Sequence, residues 1–182
     1  MINIFNLNNN CPSCPSDNCG WDLLERASSR IIKVEDVEVT GTGSVNLNVF
    51  KVTGTVRVLK TWAEITEVTT LTNMTDVYAD VYDGTNTVDL TKTPGAVLSG
   101  APVGTFFTKD KASTETFTVN MADEVRVAES TSKTAVPFYV TQKNGADTYI
   151  RFNFTTTDNP VSFKMTVWFE YQLINGGSLT EV

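Results

Sequence analysis

The sequence predicts an all-β protein, an antiparallel β-sandwich of jelly-roll-like type. Between residues 45 and 174, Thr-rich segments alternate apolar and polar residues at period two, which is the pattern of strands with one buried face. Asn-Gly and Asp-Gly dipeptides separate some of these segments, as tight hairpin turns require. The candidate strands are more than one ordinary sheet holds, so two packed sheets are expected to bury their apolar faces.

The chain of 182 residues divides into three zones. Residues 1–20 are rich in Asn, Cys and Pro, and they are expected to form an extended N-terminal arm that anchors the protein. Residues 21–30 are predicted to be one short helix, because Asp22 followed by Glu25 resembles a capping box. Residues 31–182 are predicted to form the β-sandwich domain.

Strands are predicted along the whole of that domain. They cover 31–39, 45–52, 55–70, 75–82, 86–91, 115–121, 124–129, 135–142, 147–157 and 161–174. Asn144-Gly145 is the strongest hairpin signal, and Asp83-Gly84 is a second one. Within 45–70 the apolar residues change parity, which indicates bulges or a strand that crosses between sheets.

Two features outside the regular pattern are candidates for function. Residues 92–114 form a long insertion with apolar residues, and a loop of this length is usually functional. Trp168 lies on the otherwise polar face of the last predicted strand. An exposed aromatic residue there marks a subunit interface or a sugar-stacking platform, and we favour the interface or plain packing.

Composition argues against catalysis and against nucleic-acid binding. The chain has no histidine and a formal net charge of −7. Histidine is the commonest general base, so most hydrolytic mechanisms lose their central group. No nucleotide-binding loop, serine elbow or distinctive carboxylate pair is present, so no catalytic residue is assigned. No run of Lys and Arg offers the basic stripe that nucleic acid requires.

The first residues do not resemble a targeting signal. Residues 1–7 alternate apolar side chains with Asn, whereas a signal peptide has a basic start and a continuous apolar run. No apolar stretch approaches the length of a membrane span. The chain is therefore expected to fold in a cytoplasm, without a membrane partner.

Three cysteines, Cys11, Cys14 and Cys19, lie close together in the arm. Two thiolates three positions apart suit a metal ion, but a tetrahedral site needs a fourth ligand, which Asp17 or a neighbouring subunit would have to supply. The cysteines could instead form a disulfide or an intersubunit bond, or remain free thiols. We expect no cofactor, with a metal ion at the cysteines kept as an alternative.

Four aspartates surround a predicted hairpin: Asp76, Asp80, Asp83 and Asp89. Carboxylates at this density can hold calcium. The spacing matches no known calcium loop, however, so solvated strand and turn aspartates are favoured.

Two adjacent stretches carry a resemblance to a known class of proteins. Residues 78–91, YADVYDGTNTVDLT, and residues 94–107, PGAVLSGAPVGTFF, resemble virion proteins of tailed bacteriophages. In that class, small Thr- and Gly-rich β-sandwich proteins decorate heads or form tail and fibre parts. The resemblance implies an assembly role, commonly as a trimeric head decoration or cement protein. It carries over no site residues.

The expected function is therefore that of a phage virion structural protein, most directly a capsid decoration or cement protein assembled in the host cytoplasm. Its partners would be the major capsid protein or other virion subunits, and it would form a homo-oligomer, most simply a trimer. The residues expected to contact partners lie in the arm, the long loop and the last strand: Phe5, Leu7, Val97, Leu98, Phe106, Phe107 and Trp168. The alternative is a carbohydrate-binding β-sandwich module of a tail or fibre.

Overall fold

The computed structural model describes residues 29–72, 74–109, 114–120, 137–157 and 160–182. The predicted arm and most of the predicted helix fall outside these ranges. Arg30, the last residue of the predicted helix, is the first residue of a strand instead. The described residues contain no helix, and so none that could cross a bilayer.

Nine strands make up the described fold. They are β1 (Arg30–Gly41), β2 (Ser44–Thr70), β3 (Met74–Tyr82), β4 (Thr87–Asp89), β5 (Phe106–Thr108), β6 (Thr118–Asn120), β7 (Phe138–Thr141), β8 (Thr148–Thr156) and β9 (Val161–Glu181). All pairings are antiparallel, in the order β1-β9-β2-β8-β3-β4, with β5 and β7 also on β2 and β6 on β5. The all-β prediction is confirmed, and the strands belong to one hydrogen-bonded sheet.

The two long strands, β2 and β9, hold the sheet together. They pair from Phe50 opposite Glu181 to Thr70 opposite Ser162. The segments predicted as separate strands, 45–52 and 55–70, are thus one strand of 27 residues. The predicted parity changes are confirmed, because the register shifts between Asn48 and Phe50 and again further along β2.

The sheet curves back on itself. The rings of Phe154 and Phe163 pack edge to face with centroids 5.5 Å apart. Phe154 pairs with Val45 near the start of β2, whereas Phe163 pairs with Val68 near its end. At a rise of roughly 3.3 Å per residue, a straight β2 would separate those two positions by roughly 75 Å. The apolar faces of distant stretches of the sheet therefore meet in one core.

Glycines near one end of the β2–β9 ribbon allow the close approach that this curvature requires. A Cβ atom on Gly177 would lie 1.9 Å from the carbonyl oxygen of Thr55, and one on Gly54 would lie 2.9 Å from the Cα of Gly177. The β2–β9 register also shifts between Thr53 and Thr55. The predicted break between strands 45–52 and 55–70 was wrong, since β2 continues through Thr53 and Gly54 as a bend.

The two hairpin predictions have different outcomes. Asp83-Gly84 closes the hairpin of β3 and β4, with Tyr82 opposite Thr87. Asn144-Gly145 does form a turn, and Gly145 has a φ of 73°. The flanking strands β7 and β8 do not pair with each other, however, but lie one after the other along β2. The long edge of β2 offers both of them a partner, so this hairpin prediction was wrong.

The start of the predicted insertion packs along the outer edge of β3. Val77 and Ala96 exchange two backbone hydrogen bonds of 2.7 and 3.0 Å. The N–H of Gly95 donates to Oδ1 of Asp76 at 2.8 Å. This loop then leads into β5, so it extends the sheet instead of projecting from it.

Candidate functional site

Two of the residues predicted to contact partners lie inside the core. Leu98 and Phe107 are both 0 % exposed. The ring of Phe107 packs against the rings of Phe117 and Phe152, with centroids 5.3 and 6.1 Å away. Both side chains are therefore buried by residues of the same chain.

The other predicted contact residues are placed differently. Val97 is exposed on the loop, and Phe106 on β5 is half-buried. Trp168 on β9 is also half-buried and points outward, since its neighbour Val167 is in the core. Phe5 and Leu7 lie outside the described residues.

Trp168 has an aromatic partner that the sequence did not reveal. It is opposite Trp62 of β2 in the strand register, and the two rings stack with centroids 5.7 Å apart and planes 10° apart. On the other side, Lys33 of β1 is also opposite Trp168, and its Nζ lies 5.7 Å from the ring centroid. We call the outward surface around Lys33, Trp168 and Trp62 the aromatic face.

The arrangement of these three side chains limits what the aromatic face can bind. Trp62 stacks on one face of the Trp168 ring, and Nζ of the exposed Lys33 approaches the ring from β1, the strand on the other side of β9. A sugar ring stacks on an open aromatic face. The stacked arrangement leaves less open ring surface on Trp168 for a sugar than a single exposed tryptophan would offer.

Charged side chains surround the tryptophan pair along the same two strands. Lys164 donates to Glu67 at 2.8 Å, and this hydrogen bond raises the pKa of Lys164. Lys60 forms a longer ion pair with Glu170, at 3.8 Å. The aromatic face thus has an aromatic centre and a rim of paired charges.

A second outward surface lies on β3 and β8, and we call it the polar face. Asp80 of β3 is 1 % exposed and accepts hydrogen bonds of 2.8 Å from Nε and from Nη2 of Arg151. Nδ2 of Asn153 donates to the same carboxylate at 2.9 Å. The hydrogen bond to Asp80 is the main reason that the pKa of Arg151 is raised. Asp80 was expected to be solvated, and the structure corrects this because three donors enclose it.

Two other aspartates of the predicted cluster, Asp76 and Asp83, accept hydrogen bonds from nearby backbone N–H groups. The carboxylate of Asp76 accepts a hydrogen bond from the N–H of Gly95. Asp83 accepts hydrogen bonds from the N–H groups of Thr85 and Asn86, and Lys143 pairs with it at 2.9 Å. These contacts lower the pKa of Asp83, the N–H of Asn86 most of all. In the part of the chain that the structure describes, no group of three or more His, Cys, Asp or Glu is placed to hold a metal ion, and the three cysteines lie outside it.

The described residues thus present two outward surfaces of different chemistry, one aromatic and one polar. Comparison with known proteins found no matching family model, no similar curated protein and no similar solved structure.

Proposed function

We propose that the protein is a phage virion structural protein, a capsid decoration or cement protein that binds and stabilises the capsid lattice without catalysing a reaction. The observation that carries this proposal is the stacked Trp62–Trp168 pair on the outward side of the sheet. The resemblance of residues 78–107 to tailed-phage virion proteins supports the same reading. The partner is the major capsid protein or another virion subunit.

The composition of the aromatic face supports a protein partner. Interfaces between proteins combine an aromatic centre, in which Trp is enriched, with a polar and charged rim. Trp62 and Trp168 supply the centre, and the Lys164–Glu67 and Lys60–Glu170 pairs lie at its border. Exposed ion pairs of this kind contribute little to the stability of the monomer. They are free to set the orientation of a partner.

We further propose that the curved sheet is a β-sandwich of jelly-roll-like type. The stretches of β2 and β9 on either side of the glycine bend belong to its two layers. The contact between Phe154 and Phe163 supports this assignment.

The proposed assembly is a homotrimer, with residues 1–20 as the anchoring arm. A trimer that engages several lattice subunits gains avidity even when each contact is weak. Deleting residues 1–20 is expected to leave the β-domain folded, since all described strands lie downstream, and to lower the occupancy on particles.

The test compares particles with and without the protein for rupture on heating or osmotic shock. Decorated particles should rupture at a higher temperature.

The variant Trp168→Ala should keep the wild-type circular dichroism spectrum yet lose about tenfold or more in affinity for particles, as expected for an aromatic residue at the centre of an interface. Val88→Ala, which changes an exposed residue on β4, is the matched control and should bind normally. Equal rupture with and without protein would reject the cement function, and normal binding by Trp168→Ala would reject the aromatic face.

The second candidate function is a carbohydrate-binding module of a tail or fibre. Because Trp62 already stacks on the Trp168 ring, this candidate relies on the polar face. Tyr, Asn and Arg side chains lie together there, and these residues combine flat apolar surface with hydrogen-bonding groups. A glycan array with the full chain tests this candidate directly.

A further inference from the structure

The polar face is an ordered array across four strands. Asn48, Arg151, Asp80 and Asp89 are opposite one another on β2, β8, β3 and β4. Asn46, Asn153 and Tyr78 form the neighbouring row on β2, β8 and β3. These side chains point away from the core, because Ile150, Phe152 and Ala79 between them point into it.

The centre of this array is fixed in one geometry. Asp80 and Asn153 are each 1 % exposed although they lie on the outward side of the sheet. The guanidinium of Arg151 is held by Asp80 and also stacks on Tyr82, with its Cζ 3.9 Å from the ring centroid. Such rigid polar groups bind a ligand without losing much conformational entropy.

Hydrogen-bonding capacity remains at this centre after these contacts are made. The Oδ1 atom of Asn153 is buried and has no hydrogen-bond partner among the described residues. A buried acceptor in this condition destabilises the fold unless a donor reaches it. Arg151 has five N–H donors, and its contacts to Asp80 and Thr87 involve only Nε and Nη2. As far as the described residues show, an acceptor and the Nη1 donors are therefore available close together, since Arg151 and Asn153 both bind Oδ2 of Asp80.

The charge of the site selects against ionic ligands. The Asp80 carboxylate neutralises the guanidinium of Arg151, and Asp89 lies opposite Asp80 on β4. An anion would meet two carboxylates, and a cation would meet the guanidinium. A neutral ligand with several hydroxyl groups can both donate to Asn153 and accept from Arg151.

We propose that the polar face binds a neutral saccharide, with one hydroxyl donating to Oδ1 of Asn153 and another accepting from Nη1 of Arg151. The half-buried ring of Tyr78, next to Asn153 in the register, supplies the apolar surface for the C–H side of the sugar. The Asn153 oxygen is buried, so the side chains that cover it move when the ligand enters. This inference rests on the second candidate function and is independent of the capsid proposal.

The raised pKa of Tyr78 agrees with this environment. Burial is the main cause, followed by the negative charge of Asp80. The phenol therefore stays neutral through the physiological range and is available as a hydrogen-bonding group.

The experiment probes the full chain with an array of neutral, anionic and cationic saccharides, followed by calorimetry with the best neutral one. Binding to neutral glycans is expected, and Tyr78→Ala should weaken it by roughly three- to tenfold. Asn46→Ala changes an exposed residue at the border of the site and should alter affinity without a risk to folding. Tyr139→Ala removes an aromatic residue that is 61 % exposed on β7, and it should bind like the wild type.

Several outcomes would overturn the inference. They are the absence of any neutral glycan signal, a preference for charged glycans, or equal binding by the wild type, Tyr78→Ala and Asn46→Ala. The particle-rupture assay separates the two functions, since Tyr78→Ala should still protect particles while Trp168→Ala should not.

Discussion

The rings of Phe50 and Phe169 lie 4.8 Å apart, centroid to centroid, although Phe169 is opposite Thr61 in the β2–β9 register, 11 residues beyond Phe50. A straight strand would place those positions about 36 Å apart, at roughly 3.3 Å per residue. Both phenylalanines are completely buried. Their contact therefore forms only when the ribbon of β2 and β9 bends at its glycines.

Replacing Phe50 with Ala should lower the free energy of unfolding by about 3–5 kcal/mol, because it leaves a cavity where the two stretches of sheet meet. Urea denaturation measures this loss. The substitutions Phe50→Leu and Phe169→Leu should be coupled by about 0.5–1.5 kcal/mol in a double-mutant cycle. Additive effects would mean that the two rings do not touch in solution.

The glycine bend gives a second prediction. Gly177→Ala should destabilise the protein by about 4 kcal/mol or more, since the new Cβ would collide with the backbone of Thr55 and the strands would have to separate. Gly100→Ala is the control, because that glycine has a φ of 74° but open space around it. It should cost only the conformational strain, about 1–2 kcal/mol. Similar melting temperatures for the two variants would contradict this account of the bend.

The buried ion pair of Asp80 and Arg151 should show strong non-additivity. Asp80→Asn or Arg151→Gln alone should cost about 3–5 kcal/mol, because each leaves a buried charge without its partner. The double variant should cost clearly less than the sum. Lys164→Met at the exposed pair with Glu67 should change stability by less than about 1 kcal/mol. Chemical denaturation at neutral pH checks all four variants.

Asp83 should make the free energy of unfolding decrease at acidic pH. Its pKa is lower in the folded chain than in the unfolded one, so its contribution is complete above the unfolded value of about 3.9 and is lost as the pH falls towards the folded value. The difference in melting temperature between the wild type and Asp83→Asn should thus be largest near neutral pH and shrink below about pH 4. Lys143→Met should leave most of this dependence, since the N–H of Asn86 has the larger effect. A difference in melting temperature between the wild type and Asp83→Asn that stays constant from pH 7 to pH 2 would contradict this role of Asp83.

The sequence predicted the local features of the fold well. Alternation located most strands, the change of parity near Phe50 located a bulge, and Asp83-Gly84 located a hairpin. These features depend on neighbours in the chain, where backbone geometry and side-chain period determine the outcome.

Features that depend on strand register could not be predicted in the same way. Trp62 and Trp168 stack only because β2 and β9 pair in one register, and no local pattern specifies it. Asp80 appeared to be a solvated residue because its enclosing donors come from β8, far along the chain. The end of β9 was missed because Gly176 and Gly177 interrupt the apolar alternation, although the backbone ladder continues through them.

The position of β9 within the sheet has a consequence for how the protein is made. This strand is the last of the nine along the chain, yet it lies between β1 and β2, and its partners include residues as distant as Arg30, opposite Tyr171. During synthesis, β1 leaves the ribosome before β9 and can acquire this partner only when β9 emerges. Pairings between such distant residues make folding slow and leave apolar strands exposed meanwhile. The sheet can therefore be completed only after β9 has emerged, and a nascent chain stalled before residue 161 would be a substrate for chaperones or for aggregation.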